Sequence, residues 1–459
     1  MMMSLNERKL QIFLFLFSLI IYAYFISSFH SANESSRFAL TRAIIDERTF
    51  IIDKYREYAS IDVTYYNGHY YSDKIPGTSL LAIPVYLLDL SLGFKEDYQF
   101  FNSLALLTTI FSALSVILVY KISRSFNFSN MTCFVLSLIY GFGTVAWVFS
   151  KTFFAHPYSA FFALLSVYFI LLYFKKKTKS DLKRYSILFG ISLGLFVMME
   201  YTNFIIAALL LFLFFLKSKN KLQNLLQALV PFSIFVLVVL GYNYAIFGNP
   251  FTIPLNYHYS FGNTLQTQWF RLSKLSEGFY GLTVGFSAGL LFMSPIILLS
   301  ILGFIIFLKK DKLMAKIFAL CFLVTFFFYA ASESWHGGNA YGPRYLQVAV
   351  PFLIFPIGFL MEKYKKNKIF WLISIPLIVY SIILNGAGAL NDPTPAETIK
   401  NPFFEHNMPN LLRGELDSYF YRQNKTSLIF FMLSLIVLTS FLVYFYRSKI
   451  ISLKFFKHS

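Results

Sequence analysis

Apolar residues fall in long runs separated by short polar ones. Twelve runs contain no Lys, Arg, Asp or Glu: Gln11–Phe29, Gln99–Tyr120, Asn130–Phe149, Pro157–Phe174, Tyr185–Met199, Asn203–Leu216, Leu225–Phe247, Leu282–Leu308, Ile317–Ala331, Tyr345–Met361, Ile369–Ala387 and Ser427–Tyr446. About 20 mostly apolar residues carry a helix across a hydrocarbon core, and backbone polar groups in lipid must be satisfied within the segment. The pattern predicts an all-α polytopic membrane protein with about twelve transmembrane helices. The first run is too long for a cleaved signal peptide and lacks a small-residue cleavage site, so it is read as a span. The run from Gly77 to Phe94 holds Pro84 and Asp89 and is read as a helix lying on the outer leaflet. The stretch from Tyr185 to Leu216 is read as two short helices meeting near Glu200.

Composition agrees. The 459 residues are 57% hydrophobic and only 14% charged, where soluble proteins carry about a quarter; a soluble enzyme and a disordered chain are excluded. The net charge of +18 is a matter of sidedness. With the N-terminus in the cytoplasm, segments 1–10, 121–129, 175–184, 217–221, 309–316, 362–368 and 447–459 are internal. They hold 25 of the 40 Lys/Arg and 4 of the 22 acids, as the positive-inside rule requires. Both termini are then cytoplasmic, the protein is integral to the cell membrane, and no nucleic-acid partner is implied. This balance also requires the two readings above, since a crossing at residues 77–94 would invert every later loop. Cys133 and Cys321 lie in apolar runs and offer no disulfide framework.

The remaining chemistry gathers on the outer side, where six of the seven histidines fall (His30, His69, His156, His258, His336, His406). A transporter would place ionisable groups near the midplane of repeated halves, and no such repeat is visible. Residues 1–390 are read as a catalytic membrane module with outer loop 30–98, residues 391–426 as an outer segment, and residues 427–459 as a last span with a basic tail.

Three stretches stand out. In the first, from Asn33 to Ile44, Glu34 and Arg37 share a face of an amphipathic interfacial helix; a plain surface ion pair is the alternative. The second runs from Ile61 to Gly77, where Asn67-Gly68 marks a hairpin turn between Tyr-rich arms that include Tyr71. Asp62, His69, Asp73 and Lys74 crowd this region beside lipid, although an aromatic belt with a turn would look similar. The third, from Ser334 to Tyr345, carries Trp335, His336, Tyr341 and Arg344, with three glycines and a proline shaping the loop. A guanidinium at membrane depth suits a phosphate; snorkelling at a helix end is the bland alternative. Lys151, His156 and the Glu200-Tyr201 apex are lesser candidates. The outer loop Asn249–Tyr280 is a candidate lid or acceptor surface without evident chemistry.

An outer loop that opens with an acid and an Arg-aromatic pair (Glu34, Arg37-Phe38) is followed by GHYYSDKIPG and later by WHGGNAYGPRYL. This layout resembles the GT-C superfamily of integral-membrane glycosyltransferases, in particular the protein O-mannosyltransferase and aminoarabinose-lipid A transferase branch. The resemblance implies that Asp73 and Lys74 line a donor phosphate site, that Glu34 stands where the family has its catalytic Asp, and that Gly77–Phe94 is a juxtamembrane helix. It further implies inverting transfer of a sugar from a polyprenyl phosphate to a lipid, glycan or protein acceptor at the outer face. Glu34, with Asp62 as second choice, is then the base, and Lys74 and Arg344, supported by Arg37, stabilise the leaving phosphate. The one cofactor considered is a divalent cation, with Asp73 and His69 as its candidate pair. A lipid-sugar flippase and a lipid-sugar polymerase or ligase are the alternatives.

Overall fold

The computed structural model describes residues 5–27, 30–260, 270–338, 340–394 and 399–455. It is mostly helical. In chain order the principal helices begin with α1 (Leu5–Tyr24), α2 (Ala32–Asp46), α3 (Gly77–Ser91), α4 (Asp97–Ser125), α5 (Asn130–Phe142) and α6 (Ala155–Lys175). They continue with α7 (Lys179–Met199), α8 (Asn203–Lys217), α9 (Lys221–Phe247), α10 (Leu275–Val284) and α11 (Leu298–Lys310). The last are α12 (Lys312–Ala330), α13 (Val350–Tyr364), α14 (Lys368–Ala389) and α15 (Ser427–Phe455). Six of the described helices (α4, α6, α7, α9, α12 and α14) are long and apolar enough to cross a membrane, fewer than the twelve expected from the runs. Glycine and proline explain two of the differences. Residues 130–149 end as a helix at Gly143, and residues 282–308 break over Gly285, Gly289 and Pro295 before α11 resumes. A hydropathy window averages over such interruptions; a backbone cannot.

The outer-loop elements form as expected. Strand β1 (Val63–Tyr66) pairs with β2 (His69–Ser72) in antiparallel register Val63↔Ser72 to Tyr66↔His69. Asn67 and Gly68 both have positive φ (49° and 85°), the geometry of a two-residue hairpin turn. Helix α3 has 15 residues, about 22 Å at 1.5 Å per residue, short of a hydrocarbon core. The apex between α7 and α8 falls at residues 200–202.

Helix α2 is not an interfacial helix with one wet face, because residues Glu34 to Thr41 are all buried. Its backbone is tied to α3 by Ser79 Oγ donating to the Arg37 carbonyl (2.8 Å) and Thr41 Oγ1 donating to the Ser79 carbonyl (3.0 Å). Gly77 makes this layer possible: a Cβ there would lie 2.0 Å from the Met198 carbonyl oxygen. The hairpin packs instead on residues 254–259, with Tyr259 N donating to the Val63 carbonyl (2.8 Å) and Thr64 Oγ1 to the Pro254 carbonyl (2.6 Å). The stretch before α15 is stitched back to the bundle: Tyr419 N donates to the Ile26 carbonyl (2.8 Å) and Asp417 N to the Leu390 carbonyl (2.9 Å). Beneath it, the buried Lys151 ammonium reaches Asp417 Oδ2 (3.2 Å) and the Asn391 carbonyl (2.9 Å).

Candidate functional site

Between α2, the turn after β2, the α7–α8 apex and the start of α13 lies a cavity of about 510 Å³. Arg37, Asp73, Lys74, His156, Glu200 and Arg344 all line it, with Asn33, Asn256, Tyr329 and Tyr345. The three stretches singled out in the sequence, together with two of the lesser candidates, thus converge on one space.

Each cation is held differently. Arg37, with a side chain 2% exposed, spends its guanidinium on Asn33 Oδ1 (3.0 Å), Thr78 Oγ1 (3.2 Å) and Glu200 Oε1 (3.0 Å). Lys74 lies between two carboxylates, Asp62 Oδ2 at 3.0 Å and Asp73 Oδ2 at 2.5 Å. Burial opposes its charge, but the two acids outweigh it and raise its pKa. Burial likewise opposes the Asp62 charge, yet Lys74 brings its pKa below the ordinary 3.8. Arg344 makes no ion pair among the described residues, and its buried Nε has no hydrogen-bond partner. Its guanidinium is held over the rings of Phe154 (5.4 Å) and Tyr345 (5.1 Å), contacts that fix position without consuming donors. Gly337, at φ 78°, passes so close that a Cβ would sit 3.1 Å from Arg344 Nε. Tyr345 in turn stacks on Tyr329 (4.5 Å).

Other candidates lie elsewhere. Glu34 does not pair with Arg37 and is not among the residues lining the cavity. Its carboxylate accepts from Ser31 N (2.9 Å), Ser31 Oγ (3.0 Å) and Phe153 N (2.8 Å), a capping box at the start of α2. Burial raises its pKa, against those hydrogen bonds. The Ser31-x-x-Glu34 spacing carried that signal. His69 faces solvent and pairs with Asp53 (2.7 Å), too occupied to join Asp73. Tyr71 is buried in a small core with Ile52, Val63 and Tyr242. Trp335 packs on Gly281 and donates to Glu277 (3.1 Å), and His336 is exposed. Tyr341 is buried, donating to the Leu384 carbonyl (2.7 Å). Phe29, residues 261–269 and Asn339 lie outside the described residues.

One residue of the site was not singled out in the sequence. His258, delivered by the loop against the hairpin, brings Nε2 to 3.6 Å from Asp73 Oδ2. Asp62, Asp73 and His258 present ligand atoms within 4.8 Å of one another, a donor set suited to a divalent cation and different from the expected Asp73–His69 pair. The Lys74 ammonium already contacts both carboxylates of that set, so an ion and a charged Lys74 would compete for the same oxygens.

Residues 44–258 match the family model described as dolichyl-phosphate-mannose-protein mannosyltransferase. Among solved structures the chain is similar to the oligosaccharyltransferase of Archaeoglobus fulgidus in the apo form, at 14% identity and TM-score 0.56. That match covers 86% of this chain and 57% of the other. ArnT from Cupriavidus metallidurans in the apo state is similar at 14% identity and TM-score 0.53, over 77% of this chain and 59% of that one. A further match, with 14% identity, TM-score 0.54 and the same 86% and 57% coverage, is the A. fulgidus oligosaccharyltransferase AglB in complex with an inhibitory peptide and a dolichol-phosphate. Comparison with curated proteins gives no match. The chain therefore spans under two thirds of the length of the solved proteins it resembles. These matches bear out the resemblance to the GT-C superfamily.

Proposed function

We propose that this chain, of GT-C type by fold and family match, transfers a sugar from a polyprenyl phosphate to an acceptor at the outer face of the membrane, with inversion. The observation that carries the reading is Arg344, a guanidinium without an acidic partner among the described residues, facing the same cavity as Lys74. When the anomeric bond breaks, negative charge grows on the leaving phosphate, and fixed donors shielded from water stabilise it strongly. Arg344 binds that phosphate and Lys74 supports it, while Asp62 and Asp73 keep Lys74 charged. Arg37 positions Glu200. A dolichol-phosphate bound to AglB, whose fold this chain shares, is consistent with such a donor.

The base is better assigned to Glu200 than to Glu34. Glu200 lines the cavity and uses only Oε1 on Arg37, leaving Oε2 for the acceptor proton. Glu34 is spent on backbone N–H groups, and Asp62 and Asp73 on Lys74. The excess of Lys and Arg in the loops at the opposite end of the chain's helices supports an outer-face position for the cavity. Reconstituted protein given a labelled polyprenyl-phosphate sugar tests the proposal: covalent transfer to an acceptor supports it, and lipid movement without transfer favours a flippase. Free polyprenyl phosphate should accumulate in step with transfer.

A further inference from the structure

The opposite end of the same bundle holds a second cavity. Helix α7 has 21 residues, about 30 Å. Its far end reaches Glu200, and Leu182 near its start lines a cavity of about 570 Å³. The rim carries Lys175, Lys176, Lys217, Lys219 and Lys310 against a single lining carboxylate, Asp311. The floor is apolar, with Leu171, Tyr173, Phe174, Met314 and Phe359.

The positive-inside rule accounts for basic loops on one face; the fold gathers five of their lysines around one space. Lys175, Lys217 and Lys310 end α6, α8 and α11, and each helix C-terminus carries roughly −0.5 charge. Those three ends with Asp311 offset about half of the lysine charge. Lys217 is engaged by Asp311 and lies over the Phe174 ring; Lys176 pairs with Asp181 (3.5 Å). Lys175, Lys219 and Lys310 pair with no carboxylate among the described residues. All three are exposed, so their free ammonium groups beside a concave, apolar-lined space are open to an anion.

We propose that this cavity binds the phosphate headgroup of an anionic phospholipid of the inner leaflet, with the lysine rim on the phosphate and the aromatic floor against the upper acyl chain. A basic recess between helices on the cytoplasmic side fits such a headgroup, and the apolar floor favours a lipid over a free anion. The site is about a bilayer thickness from the cavity around Arg344 and does not depend on the reaction assigned there.

The test is native mass spectrometry of the purified full chain titrated with phosphatidylglycerol, phosphatidylcholine or inorganic phosphate. Wild type should retain one phosphatidylglycerol at least tenfold more tightly than phosphatidylcholine. The Lys175→Gln/Lys219→Gln/Lys310→Gln variant should lose at least tenfold, while Lys363→Gln/Lys366→Gln/Lys368→Gln, equally basic but outside the cavity, should not. Inorganic phosphate that binds with the same lysine dependence and displaces the lipid would keep the phosphate site and make its source soluble. Equal retention of the two lipids, or equal weakening by both triple variants, overturns the proposal. Should the first triple variant fail to fold, Lys310→Glu alone, at an exposed helix end, should cut phosphatidylglycerol retention severalfold; unchanged retention would refute the site.

Discussion

Replacing Arg344 with alanine separates what this side chain does for the fold from what it does for a bound phosphate. In the folded protein its guanidinium contributes no ion pair among the described residues, only contacts over Phe154 and Tyr345. Such contacts are worth about 0.5–2 kcal/mol each, and removal of Nε breaks no hydrogen bond. Truncation should therefore lower stability by about 1–4 kcal/mol for the two contacts together without abolishing folding. Against the leaving phosphate, loss of one preorganised donor in a shielded site costs about 2.7–4 kcal/mol, or roughly 10²–10³ in turnover. Arg344→Lys keeps the charge but loses the planar fork, so it should fall between wild type and Arg344→Ala. The assay is transfer from a labelled polyprenyl-phosphate sugar at saturating acceptor, with the melting temperature of each variant measured in the same detergent. An Arg344→Ala protein that melts near wild type and keeps full turnover refutes the reasoning; so does one whose activity falls only in proportion to its folded fraction.

Glu200→Gln preserves a hydrogen-bond acceptor for Arg37 but cannot take a proton, so turnover should fall about 10²–10⁴-fold with donor-lipid binding intact. Glu34→Gln should instead leave the folded protein's turnover near wild type, and the reverse ranking in the transfer assay would return the base to Glu34. Lys151→Met leaves the buried Asp417 carboxylate, whose pKa Lys151 lowers against the effect of burial, with Arg422 at 3.5 Å as its remaining cation, and should cost at most about 3–5 kcal/mol. Thermal unfolding should show Lys151→Met/Asp417→Leu recovering much of that loss. Asp62 is depressed below 3.8, so its pairing with Lys74 stabilises the fold fully above that pH and is lost as pH falls through the lower native value. Acid unfolding curves of wild type and Asp62→Asn should accordingly differ most above pH 3.8 and converge below it.

Local signals in the chain were legible. Asn67-Gly68 between alternating tyrosines can hardly be anything but a turn, and the charge balance asked for a break near Glu200, where α7 and α8 meet. Motif spacing also brought Lys74, Arg37 and Arg344 forward as a group. What could not be read locally was who pairs with whom. Arg37 meets Glu200, 163 positions away, rather than Glu34 three positions away, because a buried guanidinium takes the partner that tertiary packing delivers. His258 reaches Asp73 only because the loop after α9 lies along the hairpin, and nothing in its own neighbourhood announces that.

The Lys151–Asp417 contact joins positions 266 residues apart, so synthesis imposes an order on it. From its own synthesis until Asp417 follows, 266 residues later, the ammonium lacks this counter-charge. Chains that terminate early leave a naked cation facing apolar neighbours, the kind of defect that membrane proteases can detect. Addition of Asp417 should thereby decide whether the buried ammonium is tolerated where it sits.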